Sequence, residues 1–330
     1  MELTTEPALR RFWCPVAESA TVTDAPYGFE LLGRPVVSWR PTPDTVAAAI
    51  DRCPHRFARL SGGWVDAGAL VCPYHGWEYG CDGIATRIPQ LEEGAVLPPK
   101  ARLDTVLAVE RYGWIWVCLD PDPLLDLPEI PEYDAPGWRA VREPVSVWKC
   151  PAPAIIENNL DPAHIAFVHR ASFGSPKEPL VPVSDVERSP GRVVTRYEVP
   201  VQARPGEDRP THRSTVTSVH GPFLALIRIV YPDGVRHTMV KACTPVDDTT
   251  TVQFQTVLRS DTEADRPAAD IIAFDGQVWD EDRSVMEPAT RHGYPLDLSE
   301  QVHLRFDKPT IEFRRMLADL VSQQVGTDPI

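Results

Sequence analysis

The chain has 330 residues, 43% of them hydrophobic, and carries a formal net charge of −14 at pH 7. That is enough apolar material for one large core or two ordinary ones, and the acidic balance argues against a nucleic-acid partner, because phosphates are bound by clustered Lys and Arg. No apolar run approaches the roughly 20 residues that cross a bilayer, and the first residues lack a signal-peptide core, so the sequence predicts no membrane partner and a cytoplasmic location.

Residues 1–120 are predicted to form a β domain. Two segments, FELLGRPVVSW and ARLDTVLAVERYGWIWVCLD, are rich in β-branched and aromatic residues, and turn-forming glycines lie between them. Residues 121–138 contain five prolines. Because proline fixes its own backbone and lacks an amide donor, we interpret these residues as a linker rather than a helix or a central strand.

Two short loops of this domain each pair a cysteine with a histidine, as Cys53-x-His55 and, after sixteen residues, Cys72-x-x-His75. The chain has seven cysteines, an odd number that does not suggest a disulfide framework, so a metal is the better interpretation. Tetrahedral zinc is one candidate. The mixed pairs instead suit an iron–sulfur cluster with one iron on two cysteines and the other on two histidines, and the loops CPHR and CPYHGW strongly resemble this Rieske arrangement. Cys81 lies outside the pattern and is expected to be a buried thiol.

Residues 139–330 mix both kinds of element. The segment APAIIENNLDPAHIAFVHR looks helical on either side of Pro162, residues 190–260 alternate like antiparallel strands, and residues 268–287 and 309–324 are predicted helices. The predicted fold class is therefore α+β, with a small β domain, a proline-rich linker and an α+β domain in chain order.

Candidate metal ligands recur in this second domain. Asn158, Asp161 and His164 are three residues apart, so they share one face of a helix. His164 and His169 are about 140° apart around a regular helix, so they converge on one ion only if the helix ends or bulges between them. Two histidines and a carboxylate are the ligands of a mononuclear non-haem Fe(II) site, which the pattern therefore predicts.

The third ligand is expected on the helix predicted at 268–287. Its apolar stripe is formed by Ile271, Phe274, Val278 and Val285. Asp282 falls in this stripe, and a carboxylate that faces a core needs a counter-charge, which iron supplies. Asp275 also lies near the stripe, so helical phase alone does not separate the two, whereas Asp280 and Glu287 are expected to point into solvent.

Several segments together resemble one family. NNLDPAHIAFVH contains a D-x-x-H-x-x-x-x-H pattern, EDRSVME contains Asp282, and RFWCPV and ERYGWIWVCLD lie near the two ends of the first domain. Over nearly its full length the chain resembles the Rieske non-haem iron oxygenases of the α-only type, which includes vanillate, dicamba and methylxanthine demethylases. The resemblance implies a Rieske domain at 1–120, the linker at 121–138 and a helix-grip catalytic domain at 139–330.

The resemblance also implies the roles of the site residues. The two Cys–His pairs would hold a Rieske [2Fe–2S] cluster, and His164, His169 and Asp282 would hold the mononuclear Fe(II), which decides between the two aspartates. Asp161 would bridge His164 to the partner subunit's His75 in a head-to-tail homotrimer and so serve electron transfer.

The implied activity is that of a terminal oxygenase. Such an enzyme uses O2 and electrons from NAD(P)H to hydroxylate or oxidatively demethylate an aromatic or other small organic substrate. No Rossmann glycine fingerprint is evident, so a separate reductase is expected, with or without a ferredoxin. Three alternatives stay open: an arene cis-dihydroxylating dioxygenase, a Rieske electron-transfer protein with a ligand-binding C-terminal domain, and a zinc-stapled binding module.

Overall fold

The computed structural model describes residues 1–181, 184–201, 211–291 and 293–322. Contacts divide the chain into two compact units: Arg10–Leu124 forms one, and Met1–Leu9 together with Leu125–Ile330 forms the other. The functional bounds 1–120, 121–138 and 139–330 remain predictions.

The unit Arg10–Leu124 consists of short antiparallel strands. They are β1 (Cys14–Glu18), β2 (Tyr27–Leu31), β3 (Arg34–Thr42), β4 (Thr45–Ile50), β5 (Trp64–Asp66), β6 (Ala69–Val71), β7 (Glu78–Tyr79), β8 (Ala85–Arg87), β9 (Thr105–Arg111) and β10 (Trp114–Cys118). A six-stranded sheet has the order β1-β10-β9-β4-β3-β2, and a four-stranded sheet has the order β5-β6-β7-β8. The aromatic residues that predicted strands are buried here, as Trp39, Trp114 and Trp116 show.

The core of this unit surrounds the two loop cysteines. Cys53 and Cys72 are buried in one apolar cluster with Trp39, Leu70 and Tyr79, among others. The loops that follow β4 and β6 are therefore anchored by their cysteines. Cys81, by contrast, is exposed. The prediction of a buried thiol is wrong because this residue lies in the tight turn between β7 and β8, where the amide of Gly83 donates to the carbonyl of Gly80.

The other unit combines an antiparallel sheet with helices. Its elements are β11 (Arg139–Arg142), β12 (Ser146–Trp148), α1 (Ala152–Asn158), α2 (Ile165–Val168), β13 (Asp185–Ser189), β14 (Arg192–Val201), β15 (Thr211–His220), β16 (Leu224–Val230), β17 (Arg236–Pro245), β18 (Thr251–Arg259), α3 (Ala268–Thr290) and α4 (Lys308–Ser322). The sheet has the order β11-β18-β17-β16-β15-β14-β13, and β12 also pairs with β18. The predicted helices on either side of Pro162 correspond to α1 and α2, and the part of 309–324 beyond Ser322 lies outside the described residues.

Helix α3 packs on the sheet through a face that is not purely apolar. Ile271 clusters with Val141 of β11 and Val257 of β18. The buried side chains of α3 are Ile271, Asp275, Trp279, Asp282 and Met286. The predicted stripe was out of phase at its end, since Val285 is 51% exposed. The reason is that two acids, Asp275 and Asp282, occupy buried positions of α3. A stripe drawn through apolar residues alone therefore misplaces the buried face of the helix. In the described part of the chain, no helix has both the length and the hydropathy to cross a bilayer.

Candidate metal centres

The two Cys–His loops have the same backbone design. The amide of Phe57 donates to the carbonyl of Cys53 at 2.9 Å, and the amide of Gly76 donates to the carbonyl of Cys72 at 3.0 Å. The residue that closes each turn has a positive φ, 61° at Phe57 and 70° at Gly76. This left-handed conformation is natural for glycine but strained for phenylalanine, whose ring lies 3.6 Å from the guanidinium carbon of Arg52.

The loops bring all four predicted ligands together. The rings of His55 and His75 are 4.4 Å apart between centroids, and His55 stacks on Trp77 at 4.5 Å. The Cys53 sulfur lies 3.2 Å from the Tyr79 hydroxyl. Burial is the main reason why the pKa of the Cys72 thiol is raised, and neighbouring Cys53 adds to it.

These four side chains fit a two-iron cluster better than one zinc ion. The thiols are buried, and Nδ1 of His55 is buried without a hydrogen-bond partner among the described residues, so the donors are set up for metal. A single zinc would draw all four donor atoms to one point. Within the described residues, however, no three of them lie within 4.8 Å of one another, whereas His164, His169 and Asp282 do. Two cysteines on one iron and two histidines on the other suit this spacing.

The second centre forms where a helix is cut short. Helix α2 has only four residues, with His164 and His169 immediately before and after it. His169 leaves the helical conformation at φ −91° and ψ 23°, which brings its Nε2 atom to 3.2 Å from Nε2 of His164. The condition set by the sequence, that the helix must end between the two histidines, is thus met.

Gly174 holds the chain after His169 in place. Its amide donates to the carbonyl of His169 at 2.7 Å. A Cβ atom at this position would lie 2.1 Å from the carbonyl oxygen of Ile165 and 2.9 Å from the carbonyl carbon of His169. Only glycine therefore allows this close return of the chain onto α2.

Asp282 completes the group from α3. Its Oδ1 atom lies 3.4 Å from Nε2 of His169 and 3.7 Å from Nε2 of His164. The side-chain amide of Asn158 donates to the same oxygen at 3.1 Å. Helical phase left Asp275 and Asp282 open, and it is Asp282 that joins the histidines.

Each histidine is held by its outer nitrogen. Nδ1 of His164 donates to the backbone carbonyl of Asp161 at 2.6 Å, and Nδ1 of His169 donates to the Glu281 carboxylate at 2.9 Å. Ser172 donates to the same Glu281 oxygen at 2.7 Å. Because Nδ1 carries the proton in both rings, both Nε2 lone pairs face the Asp282 carboxylate.

The electrostatics of the group follow from burial and these contacts. Burial lowers the pKa of His169 despite the nearby Asp282 charge. Burial also acts to lower the pKa of His164, but hydrogen bonding to Asp161 and the charge of Asp282 outweigh it and raise this pKa. Burial opposes the charge of Glu281, yet the hydrogen bonds from Ser172 and His169 lower its pKa.

This donor set fits a divalent iron ion. Two imidazole nitrogens and one carboxylate oxygen lie within 4.8 Å of one another, so one cation can bind all three. Two nitrogens and one oxygen on one face match the facial triad of non-haem Fe(II), which leaves other positions open. The three side chains line a small cavity of about 80 Å³.

The sequence missed several residues of this centre. Glu281 and Ser172 had no assigned role, and Asn158 was placed on the right face but without a function. Glu281 lies next to Asp282 but off the buried stripe of α3, so it looked like one of the many solvated acids of a surface helix. No sequence pattern points to Ser172 or Gly174, because both act through contacts that form only in the folded chain.

Comparison with known proteins covers both units. Residues 12–109 match the Rieske [2Fe-2S] domain, and residues 148–323 match the vanillate O-demethylase oxygenase C-terminal domain. Methylxanthine N1-demethylase NdmA of Pseudomonas putida is 31% identical over 322 residues, which cover 94% of this chain and 89% of that protein. The vanillate O-demethylase oxygenase subunit of a Pseudomonas species is 25% identical, with 94% of each chain covered. The structure of NdmA with caffeine superposes with a TM-score of 0.87 at 27% identity, over 98% of this chain and 94% of that one.

Proposed function

We propose that this chain removes a methyl group from an oxygen or nitrogen atom of a small aromatic compound. The premise is its family: the chain belongs to the Rieske oxygenases with a vanillate O-demethylase-type C-terminal domain. The chain is the terminal oxygenase of a Rieske system and uses a Rieske [2Fe–2S] cluster and a mononuclear iron. The methyl group as the target is supported by the relatives, whose names describe O- and N-demethylases.

The single observation that carries the proposal is the group His164, His169 and Asp282, buried beside a cavity in a chain that also has a Rieske domain. A Rieske electron carrier has no use for a second metal site that opens on a ligand cavity. A zinc-stapled module does not account for the two-domain match. The demethylase relatives likewise favour demethylation over arene cis-dihydroxylation.

We assign the ligands accordingly. Cys53 and Cys72 hold one iron of the cluster, His55 and His75 hold the other, and the histidine–carboxylate group holds the mononuclear iron. Bound iron supplies the dioxygen chemistry that amino-acid side chains lack. Hydroxylation of a methyl carbon attached to oxygen or nitrogen gives a product that falls apart to formaldehyde and the demethylated compound.

The side chains of the site position and insulate this chemistry. Asp161 and Glu281 fix the two imidazole rings through their outer nitrogens, and Asn158 fixes one oxygen of Asp282. Apolar side chains of Phe173, Ile227 and others line the adjoining cavity and keep water from the reacting methyl group.

The system needs further components. Related oxygenases are parts of multicomponent systems, and we propose a separate reductase here as well, with the need for a ferredoxin left to experiment. A homotrimer in which Asp161 meets the partner subunit's His75 remains a prediction, as does the cytoplasmic location.

Turnover with a surrogate reductase tests the proposal. Anaerobically reconstituted protein is supplied with NADH, O2 and a panel of methoxy- and N-methyl-substituted aromatic compounds. We expect formaldehyde in equal amount to the demethylated product, and about three iron atoms per chain. Asp282→Ala should lose one iron and all turnover while the Rieske EPR signal persists. Formation of cis-diols without formaldehyde would contradict the proposal.

A further inference from the structure

A row of polar side chains crosses the sheet beneath α3. Lys241 of β17 lies directly opposite Gln255 of β18, and the amide of Glu143, just after β11, donates to the carbonyl of Gln255 at 3.1 Å. Residues opposite each other in paired strands project to the same face. From α3, Asp275 meets this row, because the Gln255 amide donates to its Oδ2 atom at 3.1 Å.

This polar row lies at one end of the cavity that the metal group opens on. Lys241, Gln255 and Asp275 line that cavity together with His164, His169 and Asp282. Asp275 and Asp282 are seven residues apart on α3, which is about 10 Å along the helix axis. The lining also includes Trp279, Met239, Ile227 and other apolar residues. The metal group and the polar row therefore line the same cavity, about 10 Å apart along α3.

Two groups of the polar row have no hydrogen-bond partner among the described residues. Lys241 is only 6% exposed, and the described residues offer it no hydrogen bond or ion pair within bonding distance. The side-chain oxygen of Gln255 is likewise buried without a donor among them. Buried donors and acceptors that stay unpaired are costly, so these groups are suited to a ligand.

The charge of the row is close to balanced. Neither carboxyl oxygen of buried Glu143 accepts a hydrogen bond in the described part of the chain, which favours the neutral, protonated form of this acid. Burial and then the Asp275 charge raise the pKa of Glu143 to about 8, and burial raises the pKa of Asp275 to about 6. A neutral Glu143 leaves Asp275 as the single negative charge that offsets the Lys241 cation.

We propose that Lys241, Gln255 and Asp275 bind the end of the substrate remote from the reacting methyl group, and that this end is uncharged and presents a hydrogen-bond acceptor beside an N–H or O–H donor. Lys241 donates to the acceptor, and the Asp275 carboxylate accepts from the donor. A carboxylate at the same place would leave a buried negative charge uncompensated, so aromatic acids are selected against. The inference rests on the proposed function in one respect only, namely that the methyl group at the other end of the substrate is the group that reacts.

A second cation, Arg213, also lines the cavity, and its Nε atom is buried without a hydrogen-bond partner among the described residues. The guanidinium of Arg213 stacks 4.5 Å from the ring centroid of Phe173, and Phe173 stacks on His169. Arg213 therefore belongs to the metal end of the cavity and not to the polar row.

A matched set of probes tests the inference. 3-Methoxybenzamide and 3-methoxybenzoate have the same shape but differ in charge, and anisole lacks the polar group. Dissociation constants are measured calorimetrically on the iron-loaded holoenzyme near neutral pH. We expect the amide to bind at least about tenfold more tightly than the benzoate. A hydrogen bond to a charged group changes the affinity by about this factor. Tighter binding of the benzoate, or binding of neither compound, overturns the inference.

Variants separate the polar row from general effects. Lys241→Met should weaken amide binding about tenfold and leave anisole unchanged, whereas Lys149→Met, at an exposed lysine, should change neither. The double variant Glu143→Gln with Asp275→Asn leaves Lys241 uncompensated, so the benzoate should now bind better than the amide. Both acids must be replaced, since Glu143 alone would ionise and take over the charge. An unchanged preference in folded variants, checked by thermal unfolding, overturns the inference.

Formaldehyde release distinguishes this result from failure of the proposed function. If the amide binds through the row but yields no formaldehyde, the recognition stands and the demethylase assignment falls. If the benzoate is the better substrate and Lys241→Met has no effect, the demethylase assignment stands and the recognition falls.

Discussion

Glu281 provides the sharpest test of how the mononuclear site is built. Its carboxylate accepts from Nδ1 of His169 at 2.9 Å and from the Ser172 hydroxyl at 2.7 Å, and only 14% of the side chain is exposed. Glu281→Gln keeps the size of the side chain but removes its charge and one acceptor. Both donors meet the same Oε2 atom, so the amide oxygen of glutamine can still accept from Ser172 and His169, but it no longer carries the negative charge that holds the proton on Nδ1 of His169.

The expected loss is about 10- to 100-fold in affinity for the mononuclear metal, the range found when a carboxylate behind a ligating histidine is removed. The assay is a Co(II) titration against a competing chelator, on protein whose cluster is intact and whose mononuclear site has been emptied. The Rieske EPR signal should be unchanged, since Glu281 belongs to the other unit. This measurement needs no turnover and so reports on the site alone.

Asp280→Asn is the matched control. Asp280 is the preceding acid on the same helix, but 77% of its side chain is exposed and its ion pair with Arg283 is long, at 3.9 Å. Surface pairs of this kind contribute little, so metal affinity should stay at the wild-type value. The reasoning is refuted if Glu281→Gln binds Co(II) within about twofold of wild type, or if both variants weaken it equally.

The remaining predictions concern electron transfer, backbone geometry and pH. Asp161→Asn should leave both metal centres loaded but nearly abolish turnover in single-turnover and steady-state assays; wild-type rates would remove Asp161 from the mechanism. Gly174→Ala should lower the iron content of the mononuclear site, because the new Cβ collides with the carbonyl of Ile165. Gly276→Ala is the control: its Cβ meets open space on α3, so it should stabilise the protein by roughly 1 kcal/mol in denaturant unfolding. Burial raises the pKa of Glu143 to about 8 from 4.5, so the folded state holds a proton that the unfolded state releases, and stability falls as the pH rises through this interval. Glu143→Gln should therefore raise the melting temperature relative to wild type more at pH 8 than at pH 5, and an equal change at both would contradict this.

The sequence predicted the β unit, the sheet-and-helix unit and the pairing of His164 with His169 from local signals, whereas only the family resemblance selected Asp282 over Asp275. Strand periodicity, the Cys–His spacing and the D-x-x-H-x-x-x-x-H pattern each lie within one short segment. Where α2 ends was not predictable in this way. It depends on Gly174 returning onto the carbonyl of Ile165, a contact that spacing does not encode.

Outer contacts were missed for a related reason. Glu281 has the same sequence environment as any exposed helical acid, and its function appears only when Ser172, more than a hundred residues earlier, is brought to 2.7 Å. The exposed Cys81 was misjudged in the opposite direction, since an average preference of thiols for the core was applied to a turn. In both cases an expectation based on the average behaviour of a residue type was wrong, because a specific contact decided where the side chain lies.

Asp275 and Asp282 show most clearly what separates pattern from function. Both are buried on the same face of α3, two turns apart, and both carry a carboxylate that burial disfavours. Asp282 lies beside two imidazoles, in a group that fits a metal ion. Asp275 accepts from the Gln255 amide and is stabilised by the charge of Lys241, so it recognises a neutral ligand group. Because His164 and His169 flank α2, while Glu143 follows β11 and Lys241 lies in β17, helical phase cannot tell one aspartate from the other. The elements packed against α3 distinguish them.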